Sequence, residues 1–295
     1  MGKKSIGEYI FDTFNYVILV ISSFICVYPF LHVFFASISD PARLMAHTGP
    51  ILQPLGFTTN GYKLVFENPN ILLGYKNTLI YLVAGTALSI LMTSMGAYVL
   101  SRKGVLFGRL MMFLIAFTMY FGGGLVPWYI LMKNLGLINN IWAMVLPTAI
   151  TTYNLIVMRT SFMAIPVSIE ESARIDGAND FTILFRIILP LSKAVVAVMI
   201  LFYAVGQWNS WFNALLFLKD RKLYPLQLIL REILILNDQT SMTSTVTMTS
   251  SSDRQMYKAL IQYCTIIVAT VPILFAYPFL QKYFTKGVMI GSLKE

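Results

Sequence analysis

A run of ionisable side chains of both signs lies in residues 166–190, which read Pro-Val-Ser-Ile-Glu-Glu-Ser-Ala-Arg-Ile-Asp-Gly-Ala-Asn-Asp-Phe-Thr-Ile-Leu-Phe-Arg-Ile-Ile-Leu-Pro. Glu170, Glu171, Arg174, Asp176, Asp180 and Arg186 fall within 17 residues. On a helix, Glu170 and Arg174 are spaced i,i+4 in the favourable order. Ser168 and Glu171 have capping-box spacing, and Gly177 is placed to end that helix in a left-handed cap. Asp180 is placed to cap a second helix, which Pro190 would stop. The expected product is two short helices with a hinge. Such a charged elbow either docks a soluble partner or is an interhelical loop without one.

A second polar run, Gln207-Trp208-Asn209-Ser210-Trp211-Phe212-Asn213, sets amides and indoles inside a stretch free of charge. Amides facing acyl chains are costly, so these should face a bundle interior or a pathway. Aromatic faces beside amides suit the C–H faces and hydroxyl edges of sugar rings, and they equally suit helix–helix hydrogen bonding. Tyr153 and Asn154 are candidates of the same kind. Catalytic chemistry is not expected. The nearest approach to a phosphate-cradling Walker loop, Gly56 to Lys63, has Tyr62 where the lysine belongs. No paired carboxylates, nucleophile–base set or metal-ligand spacing appears in the apolar stretches. Cys26 and Cys264 are expected to be small buried hydrophobes, and His32 and His47 are isolated.

These residues must be positioned by elements that cross lipid. Apolar residues make up 57% of the 295-residue chain and charged residues 12%, against about 25% charged in a soluble domain. The mean hydropathy is +0.70. An ordinary cytosolic enzyme, a disordered chain and a nucleic-acid module are thereby excluded. The net charge of +9 fits loops facing anionic lipid better than a nucleic-acid footprint. Six charge-free stretches, 13–39, 77–101, 110–132, 134–158, 194–218 and 259–281, each hold 23 to 27 residues, enough to cross a hydrocarbon core of about 30 Å. The fold class expected is all-α, a polytopic membrane protein with six transmembrane helices in a single transmembrane domain over 1–295. Residues 44–62, rich in Gly and Pro, are expected to be loop. The first span is too long for a signal-peptide core and has no small-residue cleavage site after it, so it should be retained.

Several spans contain breakers: Gly122-Gly123-Gly124 and Pro127 in the third, Pro147 in the fourth, Pro272 and Pro278 interrupting the sixth. Unwound backbone at membrane depth is tolerated where it is buried in protein or lines a cavity, and kinks are also common in plain bundles. The loops 159–193 and 219–258 stand out. In the latter, Leu226, Ile229, Leu230, Ile233 and Leu234 form an amphipathic strip, followed by a Ser/Thr/Met tract over 240–252 expected to be mobile. With the N-terminus inside, inner segments hold 12 basic residues and outer ones 10, a slight positive-inside excess carried by Arg102, Lys103 and Arg109.

The spacing Glu171-x-Ala173-x3-Gly177-x9-Ile187-x-Leu189-Pro190, with Asp176 before the glycine, resembles the coupling loop of ABC-importer permeases. The wording Glu-Ser-Ala-Arg-Ile-Asp-Gly-Ala is similar to the carbohydrate-uptake branch of maltose-permease type, with Ser172 where that branch usually has Ala. Trp208-Asn209 and the tail Lys286-Gly287 extend the resemblance over most of the chain. The run from Gly122 to Pro127, with Asn134 to Asn140, further resembles permeases for complex polysaccharide fragments. The resemblance implies a multi-pass cell-membrane subunit with both termini cytoplasmic. It implies a heterodimer with a second six-helix permease and a cytoplasmic ATPase dimer that binds ATP and Mg, this chain holding no cofactor. It also implies an extracytoplasmic binding protein that delivers an oligosaccharide. Glu171, Ala173, Asp176, Gly177, Ile187, Leu189 and Pro190 would couple to the ATPase. Gln207, Trp208, Asn209, Trp211, Asn213, Tyr153 and Asn154 would line the substrate pathway. The strip in 219–258 would meet the binding protein or pack on the bundle. The rival class is an ion-gradient-driven secondary transporter, which usually carries ionisable residues in its spans; here only His32 does.

Overall fold

The computed structural model describes residues 5–236 and 251–292, with backbone alone for 236, 251–256, 276 and 279–292. The expected mobile tract lies almost wholly outside the described residues. The chain divides into two compact units, 1–69 with 232–271 and 70–231 with 272–295.

In the first unit, α1 (Ile6–Ser37) starts at a capping box of Ser5 and Glu8 and runs through Pro29. Its apolar side chains are exposed along its length, and only Ala36 and Ser37 are buried. Cys26 is exposed as well, contrary to expectation; it lies on the stretch of α1 whose side chains are exposed among the described residues, as suits a helix facing lipid. Of the expected 44–62 loop, 47–59 are irregular, while its ends belong to α2 (Pro41–Ala46), capped by Asp40, and α3 (Asn60–Glu67). Tyr62 of α3 and Ser37 share a hydrogen bond of 2.7 Å. The thiol of Cys264, in α15 (Ser251–Ser292), donates to the Ser37 carbonyl at 3.2 Å. Pro272 and Pro278 do not interrupt α15. A proline removes one N–H but need not end a helix in a membrane, where neighbouring groups re-satisfy the backbone.

In the second unit, α4 (Pro69–Ser101) turns a small and polar stripe inward. Thr78, Gly85, Ser89, Thr93, Ser94 and Ala97 are buried, while Leu79, Val83, Leu91 and Val99 are exposed. This inversion is the burial pattern of a helix whose outer face meets lipid and whose inner face packs closely on protein. The third expected span is broken into α5 (Gly108–Phe117) and α6 (Leu125–Asn134), with irregular backbone through Gly122-Gly123-Gly124. The fourth is broken into α7 (Trp142–Val145) and α8 (Thr152–Met163) around Pro147. The fifth consists of α12 (Lys193–Trp208) and α13 (Trp211–Phe217). Among the described residues, α1, α4 and Tyr257–Phe275 within α15 are single helices long and apolar enough to cross a bilayer. The ten-residue pieces of the third span reach only about 15 Å each, so its glycines and proline divide it.

Candidate coupling elbow and translocation pathway

The elbow is α9 (Val167–Ile175), a turn, and α10 (Asp180–Ile183), which runs through a widened turn, Leu184–Ile188, into α11 (Leu189–Leu191). Three local expectations are corrected. Helix α9 starts directly after Pro166, whose backbone is extended, so Ser168 lies inside the first turn and no capping box forms. Asn179 caps α10 by accepting from the Thr182 N–H at 2.8 Å. Asp180 instead bonds Arg174, where a guanidinium neutralises it better than a helix end would. The second helix passes Pro190 and ends at Leu191, followed by a 90° bend into α12. The Leu189 N–H reaches the Leu184 carbonyl, and this wide turn makes room for the Pro190 ring that would clash in a regular helix.

Gly177 behaves as expected. Its φ is +81°, and a pair of bonds, Gly177 N–H to the Arg174 carbonyl at 3.0 Å and Ala178 N–H to the Ala173 carbonyl at 2.9 Å, closes a Schellman cap. Ala173 and Ala178 pack with Tyr98, Phe162, Ile183 and Ile188, and the partly buried Ile187 and Leu189 flank that cluster. Pro190, Asp176 and Gly177 are exposed.

The two adjacent glutamates have opposite environments. Glu170 is buried, ion-paired with Arg102 and, at 3.0 Å, with Arg174, and it accepts from the Tyr98 hydroxyl at 3.3 Å. The Arg102 guanidinium also lies 4.6 Å over the Tyr98 ring. Bonds to Glu170 first, then Asp180, raise the Arg174 pKa above the ordinary guanidinium value, so it stays charged. Glu171 is exposed and pairs with no described residue. A cleft of about 380 Å³, lined by Lys103, Met163, Glu170 and Glu171 among others, opens beside them. Arg159 fastens the same region by donating from Nε to the Leu100 carbonyl at 2.8 Å.

The polar seam lies where the fourth span is broken. Ser89 donates to the Thr148 carbonyl at 3.1 Å, and Gln207 Nε2 donates to Thr148 Oγ1 at 2.7 Å. The Tyr203 hydroxyl lies 2.6 Å from Thr93 Oγ1 and accepts from the Thr151 N–H at 3.2 Å. Backbone freed at Pro147 is thus satisfied by side chains of α4 and α12, the condition for irregular chain at membrane depth. Of the expected pathway residues, Gln207, Trp208 and Asn154 are buried. Asn213 is half-buried and Asn209 exposed, its amide donating to the Val205 carbonyl of its own helix at 2.9 Å. Tyr153 and Trp211 are exposed, Tyr153 beside Phe202 with ring centres 6.4 Å apart. Sequence reasoning missed Tyr98, Arg102, Tyr203 and Thr148. The small-polar periodicity of 78–98 was a readable signal for the first of these.

A broken helical bundle with a polar seam and a charged elbow defines a membrane transport subunit. No protein-family model matches the chain. It is 40% identical to the polygalacturonan/rhamnogalacturonan transport system permease protein YtcP of Bacillus subtilis over 97% of this chain and 98% of that one. It is also 40% identical to Protein LplC of the same organism over 97% and 95%. A bacterial ABC transporter involved in the import of the acidic polysaccharide alginate contains a chain that matches with a TM-score of 0.87 at 30% identity, over 96% of this chain and 100% of that one. The chain belongs to the permeases of sugar ABC transporters. It is an integral membrane transport subunit of an ABC sugar importer and not an enzyme.

Proposed function

We propose that this chain forms one half of an ATP-driven oligosaccharide pathway, crossing the membrane six times with both termini in the cytoplasm. The crossings follow the six charge-free stretches, α5 with α6, α7 with α8 and α12 with α13 each making one broken span. The other half is a second six-helix permease, against which the lipid-exposed α1 is free to pack. The elbow within 159–193 is the cytoplasmic coupling site, and a partner ATPase dimer supplies ATP and Mg. Glu171, Asp176 and Gly177 meet the ATPase, while Ala173, Ile187, Leu189 and Pro190 seat the elbow on the bundle. Gln207, Trp208, Asn209, Trp211, Asn213, Tyr153 and Asn154 line the pathway, which receives its sugar from an extracytoplasmic binding protein.

The observation that carries this reading is the division between Glu170 and Glu171. Glu170 is bound inward by three side chains, while its neighbour is exposed and pairs with no described residue beside an open glycine turn. A rigid joint with one free carboxylate suits force transmission to a docked protein. The test is affinity purification of the tagged chain in mild detergent, with mass spectrometry of stoichiometric partners. An ATPase, a second permease and a binding protein should be recovered. Glu171→Lys and Gly177→Asp should abolish uptake while the chain stays inserted. Normal uptake by both at normal protein level would sink the coupling assignment.

A further inference from the structure

Arg231 ends α14 (Leu226–Arg231), with its guanidinium carbon 5.0 Å from the centre of the Trp211 indole. It is partly buried and pairs with no described carboxylate. In a chain with so few charges, a partly desolvated cation without a described carboxylate partner is costly and calls for an anion. Stacking on the indole covers one face of the guanidinium and leaves its N–H edge free. That planar fork matches a carboxylate in bidentate geometry.

The surroundings point to a sugar acid. Trp211 is 38% exposed, so indole surface remains for the C–H face of a pyranose. Three residues earlier, Trp208 is buried with an Nε1 donor that has no partner, and its ring packs edge-on to Tyr75. Leu226, at the start of α14, donates its N–H to Thr78, 20 residues before the Tyr98 that meets the elbow. Twenty residues of helix span about 30 Å, which puts this cation at the end of α4 remote from the elbow.

We propose that Arg231 and Trp211 form an entry site for a uronate unit of an acidic oligosaccharide. The guanidinium edge takes the carboxylate and the indole takes the sugar face. This rests on the importer reading, which makes that end the outer mouth, and deepens it by naming the cargo chemistry.

The test uses the complete importer with its ATPase, partner permease and binding protein, reconstituted in phosphatidylcholine vesicles. ATP-driven import of trigalacturonate and of its methyl ester is compared at saturating loaded binding protein, so that capture does not enter the comparison. Arg231→Gln should slow the acid at least about tenfold, the worth of one charge-assisted pair, and leave the ester within about twofold. Arg231→Lys should retain part of the acid rate. Equal slowing of acid and ester, or an unchanged acid rate, would overturn the proposal. Wild type importing the ester alone would overturn it and leave the importer reading standing. Absence of ATP-dependent import of either sugar, and of neutral oligosaccharides, would remove the importer reading and this proposal with it.

Discussion

Arg102, the first residue beyond α4, and Glu170 of α9 form an ion pair across 68 residues of sequence, with the carboxylate side chain 8% exposed. Because Glu170 also holds Arg174, which in turn holds Asp180, one buried carboxylate ties the end of a membrane helix to both halves of the elbow. The elbow is thereby fastened to the end of α4 through charged contacts.

That joint is testable by a double-mutant cycle. Arg102→Met leaves Glu170 buried with only Arg174 and Tyr98 to serve it, a situation that costs about 3 kcal/mol when a buried pair loses one member. Glu170→Gln in the Arg102→Met background should recover part of that loss, with a coupling energy above about 1 kcal/mol. Thermal unfolding of the purified complex reads both. Additive effects would mean that the two residues act independently.

Gly177 separates backbone strain from crowding. A Cβ there meets nothing within 4 Å, yet φ is +81°. Gly177→Ala should therefore destabilise the elbow by about 1 kcal/mol through conformation alone, and Gly177→Asn by less, since asparagine tolerates the left-handed region. Hydrogen exchange of the α9–α10 amides in the detergent-solubilised chain without ATPase would rank the two. Equal protection in both would contradict the strain argument.

The Gln207 amide is held by close approach as well as by its bond to Thr148. A Cβ on Gly85 would lie 2.4 Å from Gln207 Nε2. Gly85→Ala should push the amide off Thr148 and lower stability by 1 to 3 kcal/mol, the range for overpacking. Shortening the side chain in Gly85→Ala/Gln207→Ala should relieve part of that loss. If the double variant melts below Gly85→Ala alone, steric displacement of the amide is not the cause.

Local features were legible in the sequence; those made at a distance were not. The Glu170–Arg174 pair and the Gly177 cap are set by residues within one turn, so spacing sufficed to place them. Ser168 and Asp180 were misplaced because Pro166 and Asn179 compete for the same capping positions within two residues. Charge-free gaps located membrane-depth chain. They could not report whether a span stays one helix, which at Pro147 depends on Ser89, Tyr203 and Gln207 arriving from elsewhere. The strip in 219–258 was visible as amphipathic, but its packing was not. Leu226 and Ile229 sit against Gly74, where a Cβ would come within 2.6 Å of the Ile229 side chain.

Asn209 discriminates a pathway role from a structural one. It follows α12 directly, and among the described residues its side-chain amide bonds only the Val205 carbonyl of its own helix, in an exposed position. Losing one exposed hydrogen bond should cost at most about 1 kcal/mol, too little to disturb assembly. Asn209→Leu should therefore leave the melting temperature and the recovered ATPase unchanged. If the amide touches passing sugar, import at saturating binding protein should still fall several-fold, because a hydroxyl that loses its partner inside a closed pathway is left unpaired. Unchanged import would return Asn209 to helix capping, and a fall accompanied by loss of the ATPase would mean that the substitution disturbs assembly.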